Sequence, residues 1–214
     1  MPRWTWILIA AGLAALLWAS RQAPAPAPAQ ALSGGSPVAC VLPPMSSAAE
    51  GTRQSEVPPA MAAFRIGEFT VSPLAGFSAQ ARVLSRQDYR FGPGSDLSPT
   101  DLALGWQRMA DPANYGRLDI SQSGRWYHYR WGAEGPPLPL DEIIRSSANM
   151  HLVPADENVA RALSRVRPDQ TVRLQGWLVE VRRDDGWTWR SSLTREDSGA
   201  GACELIYVCA LSSY

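Results

Sequence analysis

An uncharged and mostly apolar run over residues 4–20 constrains this chain more than any other segment, because a lipid bilayer is its natural surrounding. As a helix, its 17 residues span about 26 Å, slightly less than the roughly 30 Å of a hydrocarbon core. Tryptophans stand at both ends of the run, where such rings occupy the headgroup levels. The pattern predicts a membrane anchor over residues 1–21.

A cleaved signal peptide is the alternative interpretation of the same segment. Cleavage requires small residues closely behind the run, and Leu17-Trp18-Ala19 places a bulky ring there. Almost no positive charge follows Arg21 until Arg53, which favours export of the rest of the chain. We therefore predict a protein that crosses the membrane once and whose bulk is exported; in a bacterium this is the inner membrane, with the bulk in the periplasm. Secretion to the periplasm after cleavage is the alternative.

Two further regions follow the predicted anchor. Residues 22–61 are rich in Ala, Pro and Ser and lack apolar periodicity, which predicts a disordered, largely polyproline tether. Residues 62–214 are enough for one globular domain with a single core.

Composition excludes several kinds of chemistry. All 20 basic residues are arginine, so Schiff-base lysines, P-loop lysines and Ser-Lys dyads are impossible. The formal net charge is zero, which argues against binding to nucleic acid. No CxxC, HxxxH or dense Asp/Asn loop is present, so the sequence predicts no metal and no cofactor.

Most of the domain shows the patterns of short strands. Residues 118–121 and 125–131 predict a hairpin, and residues 156–166 predict the clearest helix. Ser98, with a carboxylate three residues later at Asp101, predicts the start of another short helix.

Three predicted strands complete the chain, over residues 171–181, 187–193 and 203–208. The apolar face of the first changes at Gly176, which a bulge or a barrel corner would explain. The predicted fold class is α+β, with β dominant. We expect a small curved sheet or barrel, of which an OB-like barrel is one form, together with one or two short helices.

Four segments carry a resemblance to known proteins: residues 97–106, 120–127, 147–154 and 191–204. In these blocks the chain resembles a family of bacterial single-anchor membrane or exported proteins that has no assigned activity. The resemblance implies a single bacterial domain and identifies no catalytic residue.

Two groups of residues are candidates for a site. In the predicted strand over residues 126–131, Trp126 and Arg130 share one face and could stack on a ligand, although aromatic residues in strands more often form a cross-strand ladder. The second group surrounds one of only two histidines, and we expect its members to line one cleft. They are Asn149, His151, Arg195, Asp197 and Glu204.

The pairing of the three cysteines depends on whether the domain lies in an oxidising compartment. Cys203 and Cys209 lie on one predicted strand, about 20 Å apart, and cannot bond to each other. In an oxidising compartment Cys40 can reach one of them, and we predict a bond between Cys40 and Cys203.

Together these features predict a membrane-tethered envelope protein whose exported domain binds or scaffolds an envelope protein or a glycan. A non-enzymatic role is favoured. The alternative is a periplasmic hydrolase that uses His151 with Cys203 or Ser192.

Overall fold

The computed structural model describes residue 27 and residues 29–32, 40–199 and 201–214. The fold is dominated by strands and contains a strongly curved sheet, as predicted. The predicted anchor, residues 1–21, lies outside the described residues. Within them, no helix is long and apolar enough to cross a membrane.

Eleven strands and three α-helices make up the described part of the chain, which exceeds the one or two helices predicted. A single 3-10 turn spans Gln107–Ala110. The strands are β1 Ala29–Ala31, β2 Thr52–Ser55, β3 Phe64–Ile66, β4 Phe69–Asp88, β5 Thr100–Gly105, β6 Leu118–Ser123, β7 Trp126–Trp131, β8 Ser147–Pro154, β9 Thr171–Arg183, β10 Thr188–Arg190 and β11 Glu204–Ser213. The helices are α1 Pro112–Tyr115, α2 Leu140–Arg145 and α3 Glu157–Arg165.

Five strands close into a ring in which each pairs with two neighbours. The order is β4-β5-β8-β11-β9, and β9 returns to pair with β4. Only β8 and β11 run parallel, and the other four pairs are antiparallel. The register of β4 shifts after Pro73 and after Val83, and such irregularities bend a long strand around a barrel.

The interior of this ring is the main apolar core. Alternation along β9 points Val172, Leu174 and Leu178 inward, onto residues such as Leu102 and Ile206. Helix α3 adds Val159 and Leu163 to the same core. The Asp156 carboxylate accepts a hydrogen bond from the Val159 amide at 2.9 Å, which fixes the start of the helix and confirms the prediction there.

A second core covers the outer face of β9. Trp177, Val179 and Val181 pack there with Phe64 and Tyr207. The change of apolar face near Gly176 therefore marks where β9 becomes buried on both sides. At Gly176 itself the backbones approach closely, because a Cβ there would lie 2.1 Å from the carbonyl oxygen of Tyr207. The register shift falls opposite, in β11, between Val208 and Ala210.

Residues 40–46, hereafter the strap, pack onto the barrel although they belong to the predicted tether. Trp177 Nε1 donates to the Val41 carbonyl at 2.8 Å, and Gln175 Nε2 donates to the Pro43 carbonyl at 2.7 Å. Strand β2, also inside residues 22–61, pairs with β4. Strand β1, also inside residues 22–61, pairs with β3. Parts of the predicted tether are therefore packed against the barrel.

The prediction of a helix that begins after Ser98 is wrong, because residues 100–105 form β5. Every residue of β5 is buried, since the barrel core covers one face and other side chains cover the second. The Asp101 carboxylate pairs with Arg125 instead of capping a helix. Long-range burial has overridden the local capping signal.

Candidate functional site

The predicted hairpin is confirmed as β6 and β7, which form a separate two-stranded sheet. Gly124 and Arg125 make the turn, both with positive φ, 57° and 72°. Tyr127 Oη donates to the Ser147 hydroxyl of β8 at 3.5 Å, and burial raises the pKa of Tyr127. The hairpin therefore lies over the outer face of β5 and β8, held by side chains rather than by a backbone ladder.

A fully buried carboxylate, Asp101 of β5, anchors the tip of this hairpin. Its Oδ1 lies 2.8 Å from Nη1 of Arg125. The Arg125 guanidinium stacks over the Tyr89 ring, 3.9 Å from the centroid, and the Arg125 amide donates to Tyr89 Oη at 3.1 Å. An ion pair at this depth requires both partners, because either charge alone would be buried without compensation.

His151 lies beside the same carboxylate, on the neighbouring strand β8. Its Nδ1 is 2.9 Å from Asp101 Oδ2, although the angle there is not that of a hydrogen bond. The ring packs against Trp189, with centroids 4.6 Å apart. His151 is thus enclosed between a carboxylate and an aromatic ring.

Asn149 joins the hairpin to β8 with both ends of its amide. Its Nδ2 donates to Asp101 at 3.2 Å and to the Arg125 carbonyl at 3.0 Å. Its Oδ1 accepts from Gln122 Nε2 at 2.6 Å. Because these bonds occupy the amide, the role of Asn149 is to hold the hairpin in position.

A cavity of about 100 Å³ opens next to this network, between β7, the start of β8 and residues 195–199 and 202–204. Six of the residues proposed from the sequence line it: Trp126, Asn149, Arg195, Asp197, Cys203 and Glu204. Tyr127 and Tyr129 contribute aromatic walls. His151 lies behind Asn149 and does not line the cavity, and Arg130 lies on the exposed face of β7.

Arg195 and Glu204 form the charged part of the lining. Arg195 Nη2 lies 3.0 Å from Glu204 Oε1, and Glu204 is 1% exposed. Arg195 Nη1 and Glu204 Oε2 are buried and have no hydrogen-bond partner among the described residues. Burial raises the pKa of Glu204 to about 8, against the opposing effect of the Arg195 charge.

Neither proposed nucleophile is activated by a histidine. Burial raises the pKa of the Cys203 thiol to about 12, so it is not a thiolate at neutral pH. The Ser192 hydroxyl donates to Asp197 Oδ2 at 2.6 Å. In the described part of the chain, no hydrogen bond joins His151 to either residue. The geometry gives no support to the hydrolase interpretation.

The disulfide joins Cys40 to Cys209, with Cα atoms 5.4 Å apart, so the predicted bond to Cys203 is wrong. The path of the strap decides this pairing. Trp177 and Gln175, which hold the strap, pair across the ladder with Tyr207 and Ala210, on either side of Cys209. Cys203 is a free thiol 3.8 Å from the Arg125 carbonyl.

Sequence reasoning missed Asp101 and Arg125, which organise the whole region. A carboxylate next to the apolar residues 102–104 was the available signal for Asp101, but Ser98 made it resemble a helix cap. An arginine directly after a turn glycine was the signal for Arg125.

Among the described residues, no group of three or more His, Cys, Asp or Glu side chains is placed to hold a metal ion. Compared with known proteins, the chain matches no model of a protein family, no curated protein and no solved structure.

Proposed function

We propose that the protein is an exported, membrane-tethered binding module whose ligand enters the cavity between β7, β8 and residues 195–199 and 202–204. The observation that carries this proposal is the pair of buried polar atoms without partners, Arg195 Nη1 and Glu204 Oε2, on residues that line that cavity. Buried polar groups in folded proteins are nearly always satisfied, so exceptions call for a specific explanation. A bound ligand supplies one.

The strand order of the barrel also supports a binding function. A five-stranded Greek-key ring with the order β4-β5-β8-β11-β9 fits an OB-type barrel, which binds ligands on the face of its second and third strands and on adjoining loops. Those strands correspond to β5 and β8. Here the β6–β7 hairpin lies over that face, and the cavity remains beside it. We therefore expect the cavity to bind a small chemical group of the ligand.

Export is supported by the Cys40–Cys209 bond, because such bonds persist in oxidising compartments and are rare in the cytosol. Membrane attachment remains the expectation for residues 1–21. The proposal places the barrel outside the cytoplasmic membrane, where it would meet glycans or other envelope proteins.

A fragment screen tests the binding function without assuming a ligand. We expect ligand-observed NMR on the full-length protein in detergent to find compact polar fragments that bind. Trp126→Ala should abolish their binding, because this ring lines the cavity. Trp131→Ala is a matched control, since both rings are 42% exposed on the same strand and only Trp126 lines the cavity. A screen without hits, or hits insensitive to Trp126→Ala, would refute the proposal.

A further inference from the structure

We propose that an extended peptide segment of another protein pairs with the open edge of β7 and places a serine or threonine side chain in the cavity. This inference rests on the binding function proposed above and adds the class of the ligand and the way in which it binds.

One edge of β7 carries backbone groups that no strand uses. A two-residue turn joins β6 to β7, so Ser123 and Trp126 exchange backbone hydrogen bonds, and every second pair after them does the same. The residues between point their N–H and C=O groups away from β6; they are Tyr127, Tyr129 and Trp131. Within the described part of the chain, no hydrogen bond reaches these groups. An edge exposed in this way is a template for one more strand.

The cavity lies at this open edge. Neighbouring residues of a strand point to opposite faces, and both Trp126 and Tyr127 line the cavity. A space that borders both faces lies beside the strand, and β6 occupies the other side. A segment that enters here can therefore reach the N–H and C=O groups of Tyr127 and Tyr129.

The spacing of these groups favours a polypeptide as the ligand. The free backbone groups of β7 repeat at every second residue, and another extended chain presents its own groups at the same interval. Strand addition of this kind takes its affinity from backbone hydrogen bonds and its specificity from pockets for alternate side chains. The cavity is such a pocket.

The cavity selects the side chain that enters. A cavity of roughly 150 Å³ holds a benzene ring, so one of about 100 Å³ takes a smaller group. Arg195 Nη1 and Glu204 Oε2, both buried without a partner, call for a polar group. A hydroxyl donates and accepts, so it can bond to either atom, and to Glu204 in either protonation state. Serine and threonine meet both conditions, and threonine also suits a strand.

The exposed face of β7 favours acidic residues at the alternate positions of the segment. His128 and Arg130 are exposed on this face together with Trp126. Arg130 lies opposite Asp119 of β6 and has the open edge on its other side. Carboxylates of an added strand would lie next to His128 and Arg130, and cross-strand pairs of opposite charge stabilise a sheet.

Amide hydrogen exchange, followed by NMR on the full-length protein in detergent, tests the strand pairing. The probe is an end-blocked heptapeptide in which glutamate alternates with threonine. With the peptide in excess, we expect exchange at Tyr127 and Tyr129 to slow at least about tenfold, because their N–H groups gain an acceptor. The N–H of His128 is already bonded to Ser121, so its exchange is the internal control and should slow less.

Three changes to the peptide, compared by NMR titration, test how it binds. Valine has the shape of threonine without the hydroxyl, so a glutamate/valine peptide should bind about fivefold more weakly. Phenylalanine is too large for the cavity and should weaken binding at least about tenfold. N-methylation should abolish binding at one set of alternate residues and not at the other, because only every second N–H of a strand faces its neighbour.

A pair of variants tests the edge of β7 itself. Tyr129→Pro and Tyr129→Ala both lose the ring, and only the proline lacks the N–H. The ladder with β6 does not use this N–H, and such edge positions accept proline. We expect Tyr129→Pro to bind the glutamate/threonine peptide at least about tenfold more weakly than Tyr129→Ala.

Each part of the inference can fail separately. Exchange at Tyr127 and Tyr129 that slows no more than at His128 rejects strand pairing. Equal binding of the threonine, valine and phenylalanine peptides rejects the entry of a hydroxyl side chain into the cavity. If fragments bind in a Trp126-dependent way but no peptide binds, only the ligand class fails. If neither fragments nor peptides bind, the binding function fails with it.

Discussion

At the scale of single residues, burial determines the chemistry of the candidate site. It keeps Cys203 protonated at neutral pH, and it raises the pKa of Glu204 to about 8 although Arg195 lies 3.0 Å away. Both groups line the same cavity, so its acid–base behaviour differs from that of exposed thiols and carboxylates. These shifts oppose a nucleophilic role for Cys203 and give Glu204 a measurable signature.

The raised pKa of Glu204 predicts a specific pH dependence of stability. Between about pH 4.5 and 8 the folded protein retains a proton that the unfolded chain has lost, so the free energy of unfolding falls as the pH rises. We expect Glu204→Gln to flatten this fall, which can reach about 1.4 kcal/mol per pH unit. Urea unfolding at a series of pH values measures it.

Glu196→Gln provides the control for this experiment, because Glu196 is an exposed neighbour in the same segment. It should leave the pH dependence unchanged. An unchanged slope in Glu204→Gln would show that Glu204 is ionised in the folded protein throughout this range.

At the scale of elements, the β6–β7 hairpin connects the site to the barrel. It shares no backbone ladder with the ring, and Arg125, Gln122 and Tyr127 attach it to β5 and β8. Its position therefore depends on side-chain contacts: polar ones centred on Asp101 and Asn149, and the apolar packing of residues such as Leu118. Such an element can loosen without unfolding of the barrel.

We predict that Arg125→Ala destabilises the protein by about 3–5 kcal/mol, because it leaves the fully buried Asp101 carboxylate without its partner. Amide hydrogen exchange should increase first in β6 and β7. Arg130→Ala, on the exposed face of the same hairpin, should cost less than about 0.5 kcal/mol. Equal effects of the two variants would contradict an anchoring role for Arg125.

The elements also show how far the sequence predicts this structure. The hairpin and α3 followed from local signals, a turn glycine between alternating residues and a capped apolar stripe. Strand β5 did not, because its burial on both faces comes from distant segments that overrule Ser98 and Asp101 as a helix start. Several site residues could be named because polar side chains cluster near Asn149 and Glu204 in the sequence. The dependence of the site on Arg125 arises only from long-range packing.

At the scale of the whole molecule, the Cys40–Cys209 bond ties the strap to the last strand of the barrel. The bond spans a sequence separation of 169 residues. It closes a loop that contains the hairpin and all of the barrel except the end of β11. In the unfolded state such a long loop loses more conformational freedom than a short one.

We therefore predict that Cys40→Ser lowers the free energy of unfolding by about 2–5 kcal/mol. Cys203→Ser should change it little, because Cys203 is a free thiol. Equal losses in both variants would contradict the observed pairing.

Thiol labelling of the protein from its native compartment tests export independently. After denaturation without reductant, a maleimide reagent should modify one cysteine, Cys203, and after reduction it should modify all three. Three modified cysteines without reductant would place the domain in a reducing compartment.

The position of this bond also decides how the protein carries tension. When the chain is pulled between the N-terminal side of Cys40 and the C-terminal side of Cys209, the tension passes through the two sulfur atoms into β11. The residues between the two cysteines are then bypassed, so this pull cannot extend strands β2 to β10 or the cavity. Force from a ligand held at Trp126 must cross the ring of strands to reach the same bond. Under such tension the disulfide bond carries the load, and the folded residues between the two cysteines keep their shape.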